Sequence, residues 1–402
     1  MTGLSVPECF RHAFAPLIPV SDFAIIAAAL VAFGCMVAGP ATAETGPASG
    51  PAQPAASSDG PLQRIGVPAA GKGYGDVAFS GDSRRFIALD YRAENHNVRV
   101  WDASTLKPLC DPLPATGPDW GLTYDGKIAF TTDRQSIRFW NVDTSKLIRA
   151  TKITDGELKD VAISRDGTRF LAIVKDEQAV EVWRSGDARP RLVIKQDPVN
   201  AAFDPTGKRI AILDAFYHIF SAETGKEACP PISSSSHQLP DLAESFDSTG
   251  RRFLVLDRDA FKVVDTSTGK ALVRVVMGVE TSNSEMTGFV HWSSDYSKIV
   301  ATPEFAPQSA RIYNAENGKL ERTIGRKIIN CWIGPGARWA IGSRWVVDEH
   351  RVLNEVLDVW DMTSGRRVQT LNLDNRCVSP DCSTIVIEQE DGLGEVWRMR
   401  QE

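Results

Sequence analysis

One pattern is repeated eight times between Val77 and Arg398 of this 402-residue chain. Each copy has a short apolar run, a turn containing Asp and Gly, a second apolar run, and a third run that ends in an aromatic residue or a substitute. The residues that close the third run are Trp101, Trp140, Trp183, Phe220, Val264, Tyr313, Trp360 and Trp397. A chain built from one repeated unit is expected to form a single repetitive architecture.

Each copy has the length and composition of a four-stranded unit. Runs such as RFIALD, RFLAIV and RIAILD are short, apolar and bounded by turn residues, which is typical of β-strands. A fourth run follows the aromatic position after a second turn. The copies are spaced by about 42 residues on average, which is the length of a propeller blade. The sequence therefore predicts an all-β fold, a β-propeller of four-stranded antiparallel blades.

The two ends of the chain are expected to meet in one blade. The last copy lacks a fourth run, because the chain ends at residues 399–402. The segment LQRIGV at residues 62–67 has strand composition and precedes the first complete copy. An N-terminal strand that completes the C-terminal blade closes the ring without a free sheet edge. We predict eight blades, or seven if the weak copy from Leu122 or from Ile329 is not an independent blade.

The order of turn, strand and Trp-Asp pair resembles that of a known family. Trp-Asp pairs occur at Trp101-Asp102 and Trp360-Asp361, and the chain resembles WD-repeat β-propellers over about residues 60–402. The Gly-His dipeptide that opens many repeats of that family is missing, so the buried hydrogen-bond network built on that His is not carried over. The resemblance implies a divergent, secreted, bacterial-type propeller, or a neighbouring propeller family with similar repeats.

The N-terminal segment predicts export. Residues 23–38 form an apolar stretch of 16 residues, and Ala41-Thr42-Ala43 follows it. Small residues at these positions fit cleavage by signal peptidase after Ala43. We therefore predict a signal peptide over 1–43, a disordered linker rich in Ala, Pro, Ser and Gly over 44–60, and a propeller over 61–402. The expected location is secreted or periplasmic; the alternative is a membrane anchor formed by residues 23–38.

Charge and cysteine content narrow the possible partners. The formal net charge is -6, which gives no support for nucleic-acid binding. Cys377 and Cys382 flank a turn of the last copy, so the pair predicts either a disulfide or two buried thiols. The five cysteines after residue 43 do not have the spacing of a zinc site.

We find no motif that predicts catalysis. The histidines after residue 43 are scattered over different copies, and the sequence contains no H-E-x-x-H, no G-x-S-x-G and no P-loop. The sequence therefore predicts no catalytic residue, no metal and no cofactor. One acid recurs, because Asp90, Asp214 and Asp257 each end a second run. These acids cap the turn into the third strand, or they form an acidic ring around the central channel that binds a cation or a basic partner.

Irregular loops are the better candidates for an interface. Insertions lie between the second and third runs at residues 91–97, 303–309 and 345–355, and they are expected to project from one face of the propeller. The candidate interface residues in them are Tyr91, His96, Phe305, Trp345 and His350.

Two classes of function fit these observations. The first is a non-enzymatic, extracytoplasmic platform that binds one or more protein partners, with the propeller as a monomer. The alternative is a propeller enzyme or cofactor protein, lactonase-like or quinoprotein-like, that holds a metal or cofactor in the central channel. Fold alone does not separate the two classes.

Overall fold

The eight repeats fold into eight blades around a ring. The computed structural model describes residues 60–90, 92, 96–153, 157–174, 178–234, 242–257, 260–277, 288–303, 309–326, 328–347, 353–372, 376–389 and 391–400. The predicted signal peptide and nearly all of the predicted linker lie outside the described residues. Among the described residues no helix is long and apolar enough to cross a membrane.

The strands follow the order of the repeats, and β1 (Leu62–Gly66) comes first. Blade 1 has β2 (Tyr74–Phe79), β3 (Arg85–Asp90), β4 (Asn97–Asp102) and β5 (Leu113–Pro114). Blade 2 has β6 (Trp120–Leu122), β7 (Ile128–Thr132), β8 (Ser136–Asn141) and β9 (Lys146–Lys152). Blade 3 has β10 (Leu158–Ile163), β11 (Arg169–Val174), β12 (Ala179–Arg184) and β13 (Leu192–Lys195). Blade 4 has β14 (Asn200–Phe203), β15 (Arg209–Leu213) and β16 (Tyr217–Ser221).

The second half of the ring begins with a short helix, α1 (Leu242–Ser245). Blade 5 has β17 (Arg252–Leu256), β18 (Ala260–Asp265) and β19 (Ala271–Val276). Blade 6 has β20 (Gly288–Trp292), β21 (Lys298–Pro303), β22 (Ala310–Asn314) and β23 (Leu320–Ile324). Blade 7 has β24 (Ile328–Ile333), a 3-10 helix (Pro335–Ala337), β25 (Trp339–Val347), β26 (Leu353–Asp361) and β27 (Arg366–Leu371). Blade 8 has β28 (Arg376–Val378), β29 (Thr384–Gln389) and β30 (Gly392–Met399).

The prediction of eight antiparallel blades is confirmed. Within the described ranges, six sheets have four strands and the sheets of blades 4 and 5 have three. In those two blades a fourth segment is present as isolated bridges. Tyr217 bridges Ile232 in blade 4, and Phe246 bridges Phe253 in blade 5. The weak copies that begin near Leu122 and Ile329 each form a blade of their own.

The two chain ends close the ring as the sequence predicted. β1 pairs antiparallel with β30, with Leu62 opposite Met399, and it is the outermost strand of blade 8. Leu62 is fully buried. The Gln369 side chain of blade 7 accepts from the Leu62 N–H at 2.9 Å and donates to the Leu62 carbonyl at 2.9 Å. The closing strand is thus held by its own blade and by the preceding one.

The hydrophobic core lies in the seams between blades. Each of the eight described clusters of buried residues draws on two neighbouring blades. In the seam between blades 8 and 1, the rings of Phe86 and Trp101 stack 5.6 Å apart beside Val396. Phe170 and Trp183 repeat the same stacking at 5.7 Å in the seam between blades 2 and 3. The aromatic position of the repeat therefore fills the seam, where each stacked pair adds about 0.5–1.5 kcal/mol beyond its burial.

The turn residues of the repeat are hydrogen-bonded within their own turns. The Ser80 hydroxyl donates to the Asp82 carboxylate at 2.8 Å and accepts from the Arg85 N–H at 3.0 Å. Asp102, the acid of a Trp-Asp pair, accepts from the N–H groups of Ser104 and Thr105 at 3.0 and 2.7 Å. Burial acts to raise the pKa of Asp102, but these hydrogen bonds outweigh it and the pKa is lowered. Most of the repeated acids therefore build the fold.

Candidate functional site

The two ends of the blades differ in what they display. The turns between the first and second strands and between the third and fourth strands lie at one end, which we call the turn face. The connections between blades and the loops between the second and third strands lie at the other end, which we call the linking face. Of the five predicted interface residues, Tyr91, Phe305 and His350 lie outside the described residues. His96 and Trp345 are described, and both are exposed on the linking face.

His96 takes part in the connection between blades 1 and 2. Its carbonyl accepts from the Ala115 N–H at 2.9 Å. Its ring Nδ1 lies 3.5 Å from the Asp90 carbonyl, which is a long contact for a hydrogen bond. The imidazole is therefore an accessible side chain at the rim of this face.

Blade 7 carries the most irregular feature of the linking face. Its strands β25 and β26 have nine residues each, and they pair continuously from Trp339 to Val347. The inner strand β24 pairs with β25 only as far as Arg344, and the outer strand β27 pairs with β26 only from Leu357 onward. The pairs beyond those points, Trp345–Val347 with Leu353–Glu355, form a two-stranded extension that we call the ribbon. The sequence predicted a loop here, whereas the strands continue into the insertion.

Charged side chains hold the base of the ribbon. Asp358 is fully buried in β26 and accepts from Arg344 Nε at 2.5 Å and from the Thr370 hydroxyl at 2.5 Å. Arg376 of blade 8 pairs with Glu355 in the ribbon itself. Buried charges are tolerated only when they are paired and hydrogen-bonded in this way. The ribbon is therefore fixed at its base, and the Trp345 side chain at its edge stays 47% exposed.

The repeated turn acids form local contacts. Asp90 accepts from the Arg92 N–H at 2.9 Å, and Asp214 accepts from the Phe216 N–H at 2.7 Å. Asp257 pairs with Lys262 at 2.6 Å. The first two contacts have the geometry of a cap on the turn into the third strand. Among the described residues, no group of three or more His, Cys, Asp or Glu side chains is placed to hold a metal ion.

Asp214 also contributes to a polar cluster around His218. The imidazole is buried, its Nδ1 lies 2.7 Å from Glu227, and its Nε2 lies 3.2 Å from Asp214 and 3.0 Å from Gln196. Both ring nitrogens are thus engaged by neighbouring side chains. A general base needs a nitrogen within reach of a substrate proton, so this cluster is better suited to fixing blade 4 than to catalysis.

Two further carboxylates lie together near the central channel, and the sequence reasoning missed them. Asp119 precedes the inner strand of blade 2, and Asp160 lies on the inner strand of blade 3. Burial raises the pKa of both carboxyl groups, and the charge of Asp160 adds to the effect at Asp119, whose pKa rises to about 8. The signal was present in the sequence, because Asp76, Asp119 and Asp160 share one position of the repeat.

The cysteines of the propeller are free thiols in the described part of the chain. All five described cysteines are free thiols, so the disulfide considered for Cys377 and Cys382 is not formed. Cys382 belongs to the core between blades 7 and 8, whereas Cys377 packs against the core between blades 8 and 1. The two side chains therefore lie on opposite faces of one blade, which does not allow a bridge.

The comparisons with known proteins agree with this architecture. No protein-family model matches the sequence, and no curated protein matches it. The chain is similar to a solved structure described as the eukaryotic initiation factor, at 14% identity and a TM-score of 0.56, over 83% of this chain and 92% of that one. It is also similar to the C-terminal WD40 domain of Sif2, at 11% identity and a TM-score of 0.58, over 85% of this chain and 99% of that one.

Fold and comparisons together define a class. The chain is an eight-bladed β-propeller whose fold is similar to that of a WD40 domain. At these identities the similarity describes the fold, and function has to be argued from the surface features of this chain.

Proposed function

We propose that this protein is a non-enzymatic, extracytoplasmic platform that binds a protein partner through its linking face, with the ribbon of blade 7 at the centre of the contact. The observation that carries the proposal is the exposed Trp345 on a hairpin whose base is held by ion pairs. An aromatic ring held exposed on a fixed support can be buried against a partner with little loss of conformational freedom.

The chemistry of the ribbon suits a protein partner. Tryptophan is enriched among the residues that dominate binding energy at protein interfaces. No described strand pairs with the ribbon beyond Arg344 on one side or Leu357 on the other. The edge at Trp345–Val347 therefore presents backbone groups to which an extended segment of a partner can add as a strand.

The extracytoplasmic location rests on the sequence. The apolar stretch at residues 23–38, followed by Ala41-Thr42-Ala43, has the features of a cleaved signal. Mass spectrometry of protein recovered from the periplasmic or secreted fraction checks this location, and we expect a mature N-terminus at Glu44. An intact N-terminus in the membrane fraction supports the anchor alternative instead.

A matched pair of variants tests the platform. Trp345→Ala removes the exposed ring of the ribbon, and Leu320→Ala removes a side chain of equal exposure, 47%, on the outer strand of blade 6. We expect a partner recovered with the wild-type protein in stoichiometric amounts to be lost with Trp345→Ala and kept with Leu320→Ala. Equal recovery with both variants contradicts a contact through the ribbon.

The Asp119–Asp160 pair supports a second candidate function. This candidate is a propeller enzyme or cofactor protein of the lactonase-like or quinoprotein-like kind. Its specific support is the burial of two neighbouring carboxyl groups near the central channel, because perturbed acids cluster at functional sites. Metal analysis of the purified protein separates the two functions. A stoichiometric metal that is lost in Asp119→Asn favours the enzyme.

A further inference from the structure

The first residue of each second strand lies at a seam on the turn face, and it is usually cationic. Arg or Lys occupies this position in five of the eight copies. The cations are Arg85, Arg169, Arg209, Arg252 and Lys298, and the corresponding residue in blade 2 is Ile128.

Among the described residues, four of the five cations at this position are paired with a carboxylate. Arg85 donates to the Gly126 carbonyl in the turn of the next blade at 3.1 Å and pairs with Asp143 at 3.0 Å. Arg252 pairs with Asp247 at 2.9 Å. Lys298 and Arg209 also have carboxylate partners, at 2.8 and 4.0 Å, and Arg169 lies over the ring of Phe203.

The seam between blades 2 and 3 is built differently. Ile128 lies beside Gly167 of the next turn but cannot donate a hydrogen bond to it as Arg85 does to Gly126. Arg149 from the outer strand β9 makes that contact instead. Its Nη2 donates to the Gly167 carbonyl at 3.0 Å, and its guanidinium lies 4.3 Å from the centre of the Phe139 ring. Arg149 thus makes the same contact with a turn glycine that Arg85 makes one seam earlier.

Arg149 has no counter-ion among the residues that the structure describes. Within the described ranges no carboxylate lies within ion-pair distance of it, and its buried Nε has no hydrogen-bond partner. Burial lowers the pKa of Arg149, because a cation removed from water without a partner is disfavoured. A guanidinium in this state attracts an anion.

A cavity lies beside this guanidinium. Its volume is about 430 Å³, and its lining residues are Ile128, Arg149, Asp166, Gly167, Thr168, Arg184 and Ser185. The one carboxylate in the lining, Asp166, already accepts from the hydroxyl groups of Ser164 and Thr168 and from the Thr168 N–H. Arg149 and Arg184 are the two cations in the lining, and within the described ranges neither forms an ion pair with a carboxylate.

We propose that this cavity binds a carboxylate group, supplied by an acidic side chain of a protein segment that docks on the turn face between blades 2 and 3. Arg149 neutralises the carboxylate, and Ile128 contacts the aliphatic part of the incoming side chain. The site is independent of the ribbon, since it lies at the opposite end of the blades.

The test uses the full purified protein and three probes: an acetylated tetraglutamate peptide, glutarate and inorganic phosphate. Isothermal titration calorimetry at low salt is expected to show saturable, one-to-one binding of the peptide that weakens as salt is added. We expect Arg149→Gln to weaken it at least tenfold. Ile128→Phe, which fills the cavity and keeps the charge, is expected to weaken it by a similar factor.

The control variants are Arg134→Gln, the same charge change on the linking face, and Trp345→Ala in the ribbon. Both are expected to change peptide affinity less than twofold. Unchanged binding in Arg149→Gln or in a folded Ile128→Phe overturns the site. Glutarate binding as tightly as the peptide overturns the assignment to a protein segment in favour of a small free acid. If phosphate binds more tightly than both the peptide and glutarate, the assignment of the site to a carboxylate is wrong.

Discussion

Two tryptophans show how differently the repeat and its irregular parts use the same side chain. Trp101 is fully buried in the seam between blades 8 and 1, where it stacks on Phe86 and donates to the Ala69 carbonyl at 2.8 Å. Trp345 lies on the ribbon of blade 7 and remains about half exposed. The tryptophan at the repeated position builds the ring, and the tryptophan outside the repeat is exposed and available to a partner.

The largest expected effect comes from opening the ring. Deletion of residues 60–66 removes β1, exposes the edge of β30 and empties the position of the buried Leu62. We expect the cooperative unfolding transition to be lost, because the deletion leaves both an unpaired strand edge and an open core. Chemical denaturation monitored by circular dichroism measures the transition. Deletion of residues 44–59 is the control, and it is expected to leave the transition unchanged. A cooperative transition of wild-type stability without β1 contradicts the closure.

The two tryptophans themselves provide the next test. Trp101→Ala is expected to cost about 3–5 kcal/mol of unfolding free energy, because it leaves a large cavity in a seam. Trp345→Ala is expected to change the free energy by less than about 0.5 kcal/mol, which is usual for a surface residue. Denaturation of both variants under the same conditions measures the difference. Equal losses of unfolding free energy in the two variants contradict the distinction between the buried seam residue and the exposed ribbon residue.

A smaller, pH-dependent effect is expected at the channel acids. Because the pKa of Asp119 is raised to about 8 in the folded protein and lies near 3.9 in an unfolded chain, its contribution to stability is complete below about pH 4 and is lost as the pH rises towards 8. Asp119→Asn is therefore expected to be more stable than wild type at pH 9, by about 1 kcal/mol or more.

The measurement is thermal unfolding of the Asp119→Asn variant and the wild-type protein between pH 4 and 9. We expect the gap between them to shrink as the pH falls. A gap that does not change with pH shows that Asp119 is charged in the folded protein, and it contradicts the shared burial of the two acids.

The smallest effect is expected at a single turn. Asp102→Ala removes the acceptor of two backbone N–H groups and is expected to cost about 0.5–2 kcal/mol, as the loss of a capping side chain does. The pKa of Asp102 is lowered in the folded protein. This stabilisation is therefore present above about pH 4 and is lost as the pH falls through the lowered pKa. Denaturation at pH 7 and at pH 3 should show the cost shrinking in acid.

The sequence predicted those parts of the molecule that local chemistry encodes. The apolar runs, the turn acids and the missing last strand were sufficient to predict eight blades and closure by residues near Leu62. The extension of blade 7 was predicted only as an insertion, because strand pairing beyond a sheet depends on the partner strand. The site at Arg149 depends on a contact between two blades, and the only local sign of it is Ile128 in a position that is usually cationic.

Photo-crosslinking in cells that produce the full-length protein tests the central claim most directly. A crosslinking residue replaces Val346 in the ribbon or, as the control, Leu320 on the outer strand of blade 6. The platform predicts one discrete crosslinked partner from position 346, located outside the cytoplasm, and no such product from position 320. Equal labelling at both positions, or a crosslinked partner confined to the cytoplasm, contradicts it.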